Sequence, residues 1–439
     1  MKVCRRWRYL ILGSALHLGL CLVCSRGTPV EEMLAHSPPL PLIIDHDDGN
    51  NLTAEDEKGI LFALQHRDNV RRIYLDKPIL CLQKLITAMD GQFPMLEYLY
   101  IRPPPKHDAR LVLPSTFEAP QLSNLVLDQF ASPIGSLLLT TAVSLVRLSL
   151  RRVHPWTNIY PNSLFQALSL LPQLEGLEIS FSPVPNREIK RYMLHMPNIT
   201  HTTLPNLRVF DFGGVSAYLE AFLSHMNAPL LEMLNISFFN QLSFSVPSLL
   251  QFVTTTENLR VSSVRFLFHH TSVTVMMYPS VNALRNNLSI YFGCDHLDWQ
   301  VSSIAQIFHF LGPLSSAVAD LTLDYRGNAL SSEWHNQVDP IQWRKLLGSF
   351  MNVETLRVHD GLVGELSRCL VLDGEPPSGI LPELKTLVCP MGSHDNGTFA
   401  TFLGDREFAG LPIELIEDPL PAGEIEYTWY SLTGVECVS

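Results

Sequence analysis

Leu96-Glu-Tyr-Leu99-Tyr-Ile101, Leu122-Ser-Asn-Leu125-Val-Leu127, Leu145-Val-Arg-Leu148-Ser-Leu150 and Leu174-Glu-Gly-Leu177-Glu-Ile179 are copies of one phrase: an apolar residue, two variable ones, Leu, one variable residue and another apolar residue. Looser copies follow at Leu207-Arg-Val-Phe210-Asp-Phe212, Leu231-Glu-Met-Leu234-Asn-Ile236, Val318-Ala-Asp-Leu321-Thr-Leu323, Val353-Glu-Thr-Leu356-Arg-Val358 and Leu384-Lys-Thr-Leu387-Val-Cys389. Within each copy the apolar positions alternate at the end, as on a strand with one buried face.

On either side of residues 257–292, successive copies lie roughly 23 to 35 residues apart, the length of one strand plus one helix in a leucine-rich repeat. One such unit cannot bury its apolar face alone, so neighbours must stack around a continuous core. The fold class expected is therefore α/β: an irregular leucine-rich-repeat-like solenoid, or horseshoe, with parallel inner strands and outer helices. The long, uneven interval fits a degenerate solenoid better than a short-repeat extracellular one.

The stretches between phrases have helical character. Glu55 to Arg67 opens acidic after Thr53 and puts Ile60, Leu61 and Leu64 on one stripe. Ser163 to Leu171 and Ser216 to Met226 do the same ahead of Pro172 and Pro229, and Pro29 to His36 is also helix-like. The recurring order Pro, variable residue, Leu at Pro94, Pro120, Pro172, Pro205 and Pro382 reads as a short extended approach to each strand, because proline disfavours helix in the residue before it. Residues 257–292 break the pattern: they are rich in Val, Thr, Ser and aromatics and alternate over Ser272 to Met276 and Leu288 to Phe292, which predicts an inserted β element. Phe399 to Phe408 reads as a helix and Pro412 to Ile416 as a last strand. The solenoid is placed at 13–418, with 419–439 a terminal cap or a disordered tail.

The chain has 439 residues, 46% hydrophobic and 17% charged, enough for a large core, and no apolar run long enough to span a bilayer. A net charge of −12, with no basic cluster beyond the first eight residues, argues against nucleic-acid binding. Eight scattered cysteines in a chain this long do not suggest a disulfide scaffold, and reduced thiols are expected.

Two readings compete for the N-terminus. Met1 to Tyr9 is basic, Leu10 to Val23 apolar, and Val23-Cys-Ser25 suits a signal peptidase. Against that, Leu16, Leu18, Leu20 and Leu22 alternate with His17, Gly19, Cys21 and Val23, and Leu40, Leu42 and Ile44 repeat the alternation, so the stretch also fits a first rung of the solenoid.

Val3-Cys-Arg-Arg-Trp-Arg8 followed by Leu12-Gly-Ser14, then Gly27-Thr-Pro29, Leu40-Pro-Leu42, Leu113-Pro-Ser-Thr-Phe117, Ala228-Pro229 and Leu297-Asp-Trp-Gln300 carry a resemblance over nearly the whole chain. The chain resembles the F-box and leucine-rich-repeat-like proteins of mushroom-forming fungi. By that resemblance, residues 1–12 are a remnant of the last F-box helix, with Val3, Cys4 and Trp7 at its packing positions. The family's Leu-Pro-rich start and first helices, which bind a Skp-type adaptor, are not among these residues, so a truncated F-box is expected. The resemblance implies the substrate-receptor half of a ubiquitin-ligase subunit, with the adaptor and a cullin as partners where the full F-box exists. It implies a cytoplasmic or nuclear location; the signal-peptide reading gives the alternative, a secreted recognition protein.

No Gly-x-Ser-x-Gly, phosphate loop or zinc-hydrolase helix occurs, and no enzyme, cofactor or metal is expected. Cys21-Leu-Val-Cys24 has metal-ligand spacing without a second pair and reads as core, as does His269-His270. Asn51, Asn198, Asn235, Asn287 and Asn396 head glycosylation sequons, of which Asn235 falls in an expected packed strand. What remains is a surface. Residues alternating with the apolar strand positions should line the concave face: Tyr98, Tyr100 and Arg102; Asn124 and Asp128; Arg147, Ser149 and Arg151; Glu178; Asp211; Asp320, Thr322 and Asp324; Arg357 and His359. Arg and Tyr are enriched among interface hot spots, which singles out Tyr98, Tyr100, Arg147 and Arg151 for contact with a protein target.

Overall fold

The computed structural model describes residues 20–37, 39–47, 52–104, 111–131, 133–153, 161–182, 201–238, 241, 243–326, 339–370, 379–390 and 399–418. The F-box remnant with Val3, Cys4 and Trp7, the sequons at Asn51, Asn198 and Asn396, and the tail 419–439 lie outside the described residues. The chain has a leucine-rich-repeat-like α/β fold and divides into two compact units, Met1–Ser182 with Met196–Leu207, and Pro183–His195 with Arg208–Ser439.

Seven strands of the first unit lie side by side in chain order, each parallel to the next. They are β1 (Leu22–Cys24), β2 (Leu42–His46), β3 (Val70–Asp76), β4 (Tyr98–Arg102), β5 (Asn124–Asp128), β6 (Arg147–Val153) and β7 (Gly176–Phe181). The repeated phrase sets their register. Ile44, Ile73, Leu99, Leu125, Leu148 and Leu177 are successive cross-strand partners, and Leu75, Ile101, Leu127, Leu150 and Ile179 form the next row inward. All are buried. A one-residue slip would turn every one of them to the opposite face, so the core pins the pairing.

The helix Val30–His36, the helix Ala54–Gln65 and the helix Ile79–Ala88 cover the core side of the first rungs. The second of these begins in a capping box: the Thr53 hydroxyl accepts from the Asp56 amide and the Asp56 carboxylate accepts from the Thr53 backbone. Asp56 Oδ1 also accepts from the Gly27 amide at 2.8 Å, where Gly27 turns through φ +74°.

Among the described residues the expectation of one outer helix per repeat is not met after Arg102. The described residues between β4 and β5 contain no helix, and isolated parallel bridges, Gln92 with Glu118 and Leu111 with Phe130, link extended segments there. Residues Val112 to Pro120 carry two prolines and few apolar residues at helical spacing, so extended chain wins.

The Pro-x-Leu approach is also not extended. The amides of Leu96, Leu122, Leu174, Leu207 and Leu384 donate to the carbonyl three residues back at 3.1 to 3.3 Å, closing tight turns with Pro94, Pro120, Pro172, Pro205 and Pro382 at the second position. Proline's fixed φ suits that position. The first residue of each turn (Phe93, Ala119, Leu171, Leu204, Leu381) is buried, so the turn anchors the chain before each strand.

The second unit contains β8 (Val209–Gly214), β9 (Met233–Phe238), β10 (Ser263–His269), β11 (Ser272–Tyr278), β12 (Leu288–Gly293), β13 (Asp320–Tyr325), β14 (Thr355–Val358), β15 (Thr386–Pro390) and β16 (Glu414–Asp418). Their spatial order is β8-β9-β12-β11-β10-β13-β14-β15-β16. The expected inserted β element is β10 to β12, a meander in which β11 runs antiparallel to both neighbours while β12 and β10 lie parallel to β9 and β13. Behind it Phe266 meets Phe308 of the helix Leu297–Phe310 at 5.6 Å and Phe350 at 5.8 Å, and Phe268 meets Trp343 at 5.7 Å.

Cys24 is buried, but Cys21, expected in the core, is exposed because it precedes the first strand pair. His269 is half-buried and His270 exposed, since the turn joining β10 to β11 carries them beyond the packed strands.

Candidate recognition surface

The strand face opposite the core is organised in rows. In the first unit one row reads Ile43, Arg72, Tyr98, Asn124, Arg147, Gly176, and the next Asp45, Tyr74, Tyr100, Val126, Ser149, Glu178. Arg102 stands opposite Asp76, and Arg151 opposite Asp128. Strand neighbours are about 4.8 Å apart, so side chains along a row touch.

Tyr74 and Tyr100 stack with ring centroids 4.1 Å apart and planes 2° from parallel. The Arg72 guanidinium lies 4.6 Å from the Tyr98 ring centroid and 5.9 Å from that of Tyr74. Burial pushes the Tyr74 and Tyr98 hydroxyls above the ordinary tyrosine value, so both stay protonated donors. Arg102 bonds to Tyr100, and chiefly for that reason its charge is held more firmly than usual. Burial raises Asp45 and Asp76 above the usual carboxylate range, against the opposing pull of Arg72 and Arg102 respectively.

Beside this aromatic group are two closed ion pairs. Arg151 donates through Nε and Nη2 to both Glu178 oxygens at 2.8 Å, and Ser149 Oγ donates to Glu178 Oε2 at 2.7 Å. Arg152 grips Asp128 the same way at 2.6 and 2.8 Å and donates to the Pro103 carbonyl at 3.0 Å. It sits at a bulge between β6 and β7 with φ +45°. Its amide donates to Ser180 Oγ at 3.2 Å and its carbonyl accepts from Ser182 Oγ at 3.0 Å.

In the second unit Asp211, Asn235, Ser289, Met276, Arg265, Thr322 and Arg357 form one continuous row. Asn235 Nδ2 donates to Asp211 Oδ1 at 2.6 Å, and Arg265 pairs with Asp324. Asp320 faces Thr355 across the strands; burial raises its pKa, opposed by Arg357. On this face Leu267, Met276 and Tyr278 bury one another, with Ala283 packed against them.

The strand register alternates the expected outward residues from Tyr98 to Arg357 with the core rows, while His359 follows the last paired residue; not all of them are hydrated. Tyr100, Asp128 and Ser149 are only 2%, 4% and 2% exposed, covered by their row neighbours. Arg147 and Arg357 are exposed; Tyr98, Arg102, Asn124, Arg151, Glu178, Asp211, Asp320, Thr322, Asp324 and His359 are half-buried. Sequence reasoning missed Arg72, Tyr74, Arg152 and Arg265. The signal for two of them was present: Val70-Arg-Arg-Ile73-Tyr-Leu75 is the repeat phrase itself.

Cys24 Sγ lies 3.9 Å from His46 Nε2, the contact of a nucleophile with its base. Burial pushes Cys24 up to about 12 and His46 down, so thiol and imidazole stay neutral, and both are closed off from solvent. Cys294 and Cys369 are likewise pushed up to about 12, and Cys389 to about 11. Among the described residues no group of three His, Cys, Asp or Glu side chains is placed to hold a metal ion, and no helix is long and apolar enough to cross a membrane.

No protein-family model matches the chain, and no curated protein matches it. Among solved structures it is similar to the leucine-rich repeat-containing protein LegL7 from Legionella pneumophila, at 14% identity and a TM-score of 0.26, over 89% of this chain and 98% of that one.

Proposed function

We propose that this chain is a non-catalytic protein-binding module that holds its target on the outward sheet face of the first unit. The observation that carries this is the half-buried pair Tyr74 and Tyr98 held around Arg72, with buried Tyr100 stacked on Tyr74 as their support. Flat aromatic surface with hydroxyl and guanidinium donors is the chemistry of interface hot spots, and side chains already stacked lose little entropy on binding. On the resemblance to F-box receptors, we assign the target the role of a substrate presented to a ubiquitin ligase in the cytoplasm or nucleus, with a Skp-type adaptor and cullin as partners only where the full F-box exists. A glycan on Asn235 would break its bond to Asp211 within a packed row, so on the secreted alternative carbohydrate belongs on the other sequons.

Affinity capture of the full chain from its own cells, beside Tyr98→Ala, with mass spectrometry of companions and of the N-terminal peptide, tests both parts. The expected result is a target lost with Tyr98→Ala; adaptor and cullin in both captures, together with peptides upstream of Met1, would support the ligase role. Identical companions for both chains would remove the surface assignment. An N-terminus near Arg26 with glycosylated Asn51 would replace the ligase role with secretion.

A further inference from the structure

Most cations on the first unit's outward face are already answered: Arg151 by Glu178, Arg152 by Asp128, and Arg102 by Tyr100 with Asp76 nearby. Arg72 is not. Its Nε is buried without a hydrogen-bond partner, and the aromatic faces of Tyr74 and Tyr98 hold the guanidinium without supplying an acceptor. Asp45, the carboxylate acting on it, forms no ion pair with it among the described residues and is itself discouraged from charging by burial. The Nε is sealed beneath the rings, so the Nη groups, which no described carboxylate answers, are what remains for an incoming acceptor. Arg147 stands in the same row, exposed and also without an ion pair among the described residues.

Resting on the reading that this face binds a protein, we propose that it takes an extended acidic segment of the partner, with one carboxylate on Arg72 and a second on Arg147. The row supplies the spacing. Arg72, Tyr98, Asn124 and Arg147 span three strand intervals, about 14 Å. An extended peptide rises about 3.3 Å per residue and returns a side chain to the same side every second residue, so acids at i and i+4 reach both guanidiniums. The residue at i+2 then lies over Tyr98 and Asn124, where the Asn124 side chain can bond to it or to the peptide backbone. The planar fork of arginine matches a carboxylate in a way that a lysine would not.

The test is fluorescence anisotropy of the full-length chain with dye-labelled decapeptides of one Gly/Ser/Tyr composition, each carrying two Glu residues separated by zero to six positions. Binding should be tightest for Glu-x-x-x-Glu, and Glu→Gln in that peptide should abolish the preference. Arg72→Ala and Arg147→Ala should each weaken it about tenfold or more, and Arg72→Lys should recover only part. Arg71→Ala, which removes an exposed partner of Glu97, should bind as the unaltered chain does. Arg147 is exposed, so its variant keeps the test sound even if Arg72→Ala disturbs folding. Affinity independent of spacing, or unchanged in both arginine variants, would overturn the proposal. Loss of a cellular target with Tyr98→Ala but with neither arginine variant would retain the surface and reject the acidic segment; no loss with any of the three would reject both.

Discussion

Arg152 adopts a left-handed backbone conformation that side chains larger than glycine avoid. Its forked grip on Asp128 and its bond to the Pro103 carbonyl offset that strain. Arg152→Ala keeps the strain and strands a buried carboxylate, so we expect a loss of about 2 kcal/mol in urea unfolding, moderated because the arginine is partly solvated. Arg152→Gly loses the same grip but relieves the backbone, and should be about 1 kcal/mol better than alanine. The reverse order would show that the strain is not what the bonds oppose. His46 adds a pH dependence. Burial, then the Lys77 charge, lower its pKa, so the unfolded chain takes up the proton first as pH falls. Its contribution is complete above the ordinary histidine value of about 6.5 and is lost as pH falls through the lowered folded value. Asp56, whose pKa is lowered chiefly by the Gly27 amide, acts only below the usual carboxylate range. His46→Leu should therefore flatten the urea midpoint between about pH 6.5 and 5.

At the level of the element, the sequence announces strands better than connections. The phrase around Leu99, Leu125, Leu148 and Leu177 states its own register, because a period of two with one buried face admits one alignment. The meander from Ser263 to Gly293 was readable from Val, Thr and aromatic alternation, and the helix after Thr53 from its acidic first turn. Thr53→Ala should cost about 1 kcal/mol, measured by chemical denaturation, for the lost cap. The turn at Pro94 and its counterparts was not readable in the same way: proline at the second position of a turn and proline before an extended run look alike until the closing hydrogen bond is seen. The absence of a helix from the described residues between β4 and β5 was hidden by the expectation that each repeat repeats everything.

Across the whole molecule, side chains that form the candidate surface find their partners one repeat away. Arg151 meets Glu178, Arg152 meets Asp128 and Arg72 meets Tyr98. Composition at one position says which face it occupies; only the stacking of repeats says what answers it, which is why Arg147 and Arg151 looked equivalent and are not. Nearest-neighbour stacking also localises damage. Arg406, fully buried in the helix Ala400–Phe408, donates to the carbonyls of Leu381, Pro382 and Leu384 at 3.1 to 3.3 Å and so ties the last helix to the turn ahead of β15. Arg406→Leu should raise hydrogen exchange over 384–418 at least tenfold while leaving β2 to β6 protected; uniform loss would show that the molecule unfolds as one block. The reversed strand order of the meander also bears on synthesis. β12 and β11 occupy the two places between β9 and β10, yet both leave the ribosome after β10. Strands β8 and β9 can pair as they emerge, but the far backbone edge of β9, from Leu234 to Phe238, stays unpaired until residue 293 has been made. Growth of this sheet from the nascent chain therefore pauses at β9 and resumes only when a later segment slots in beside it, so that a row of backbone donors and acceptors stays open to pairing with neighbouring chains over that interval.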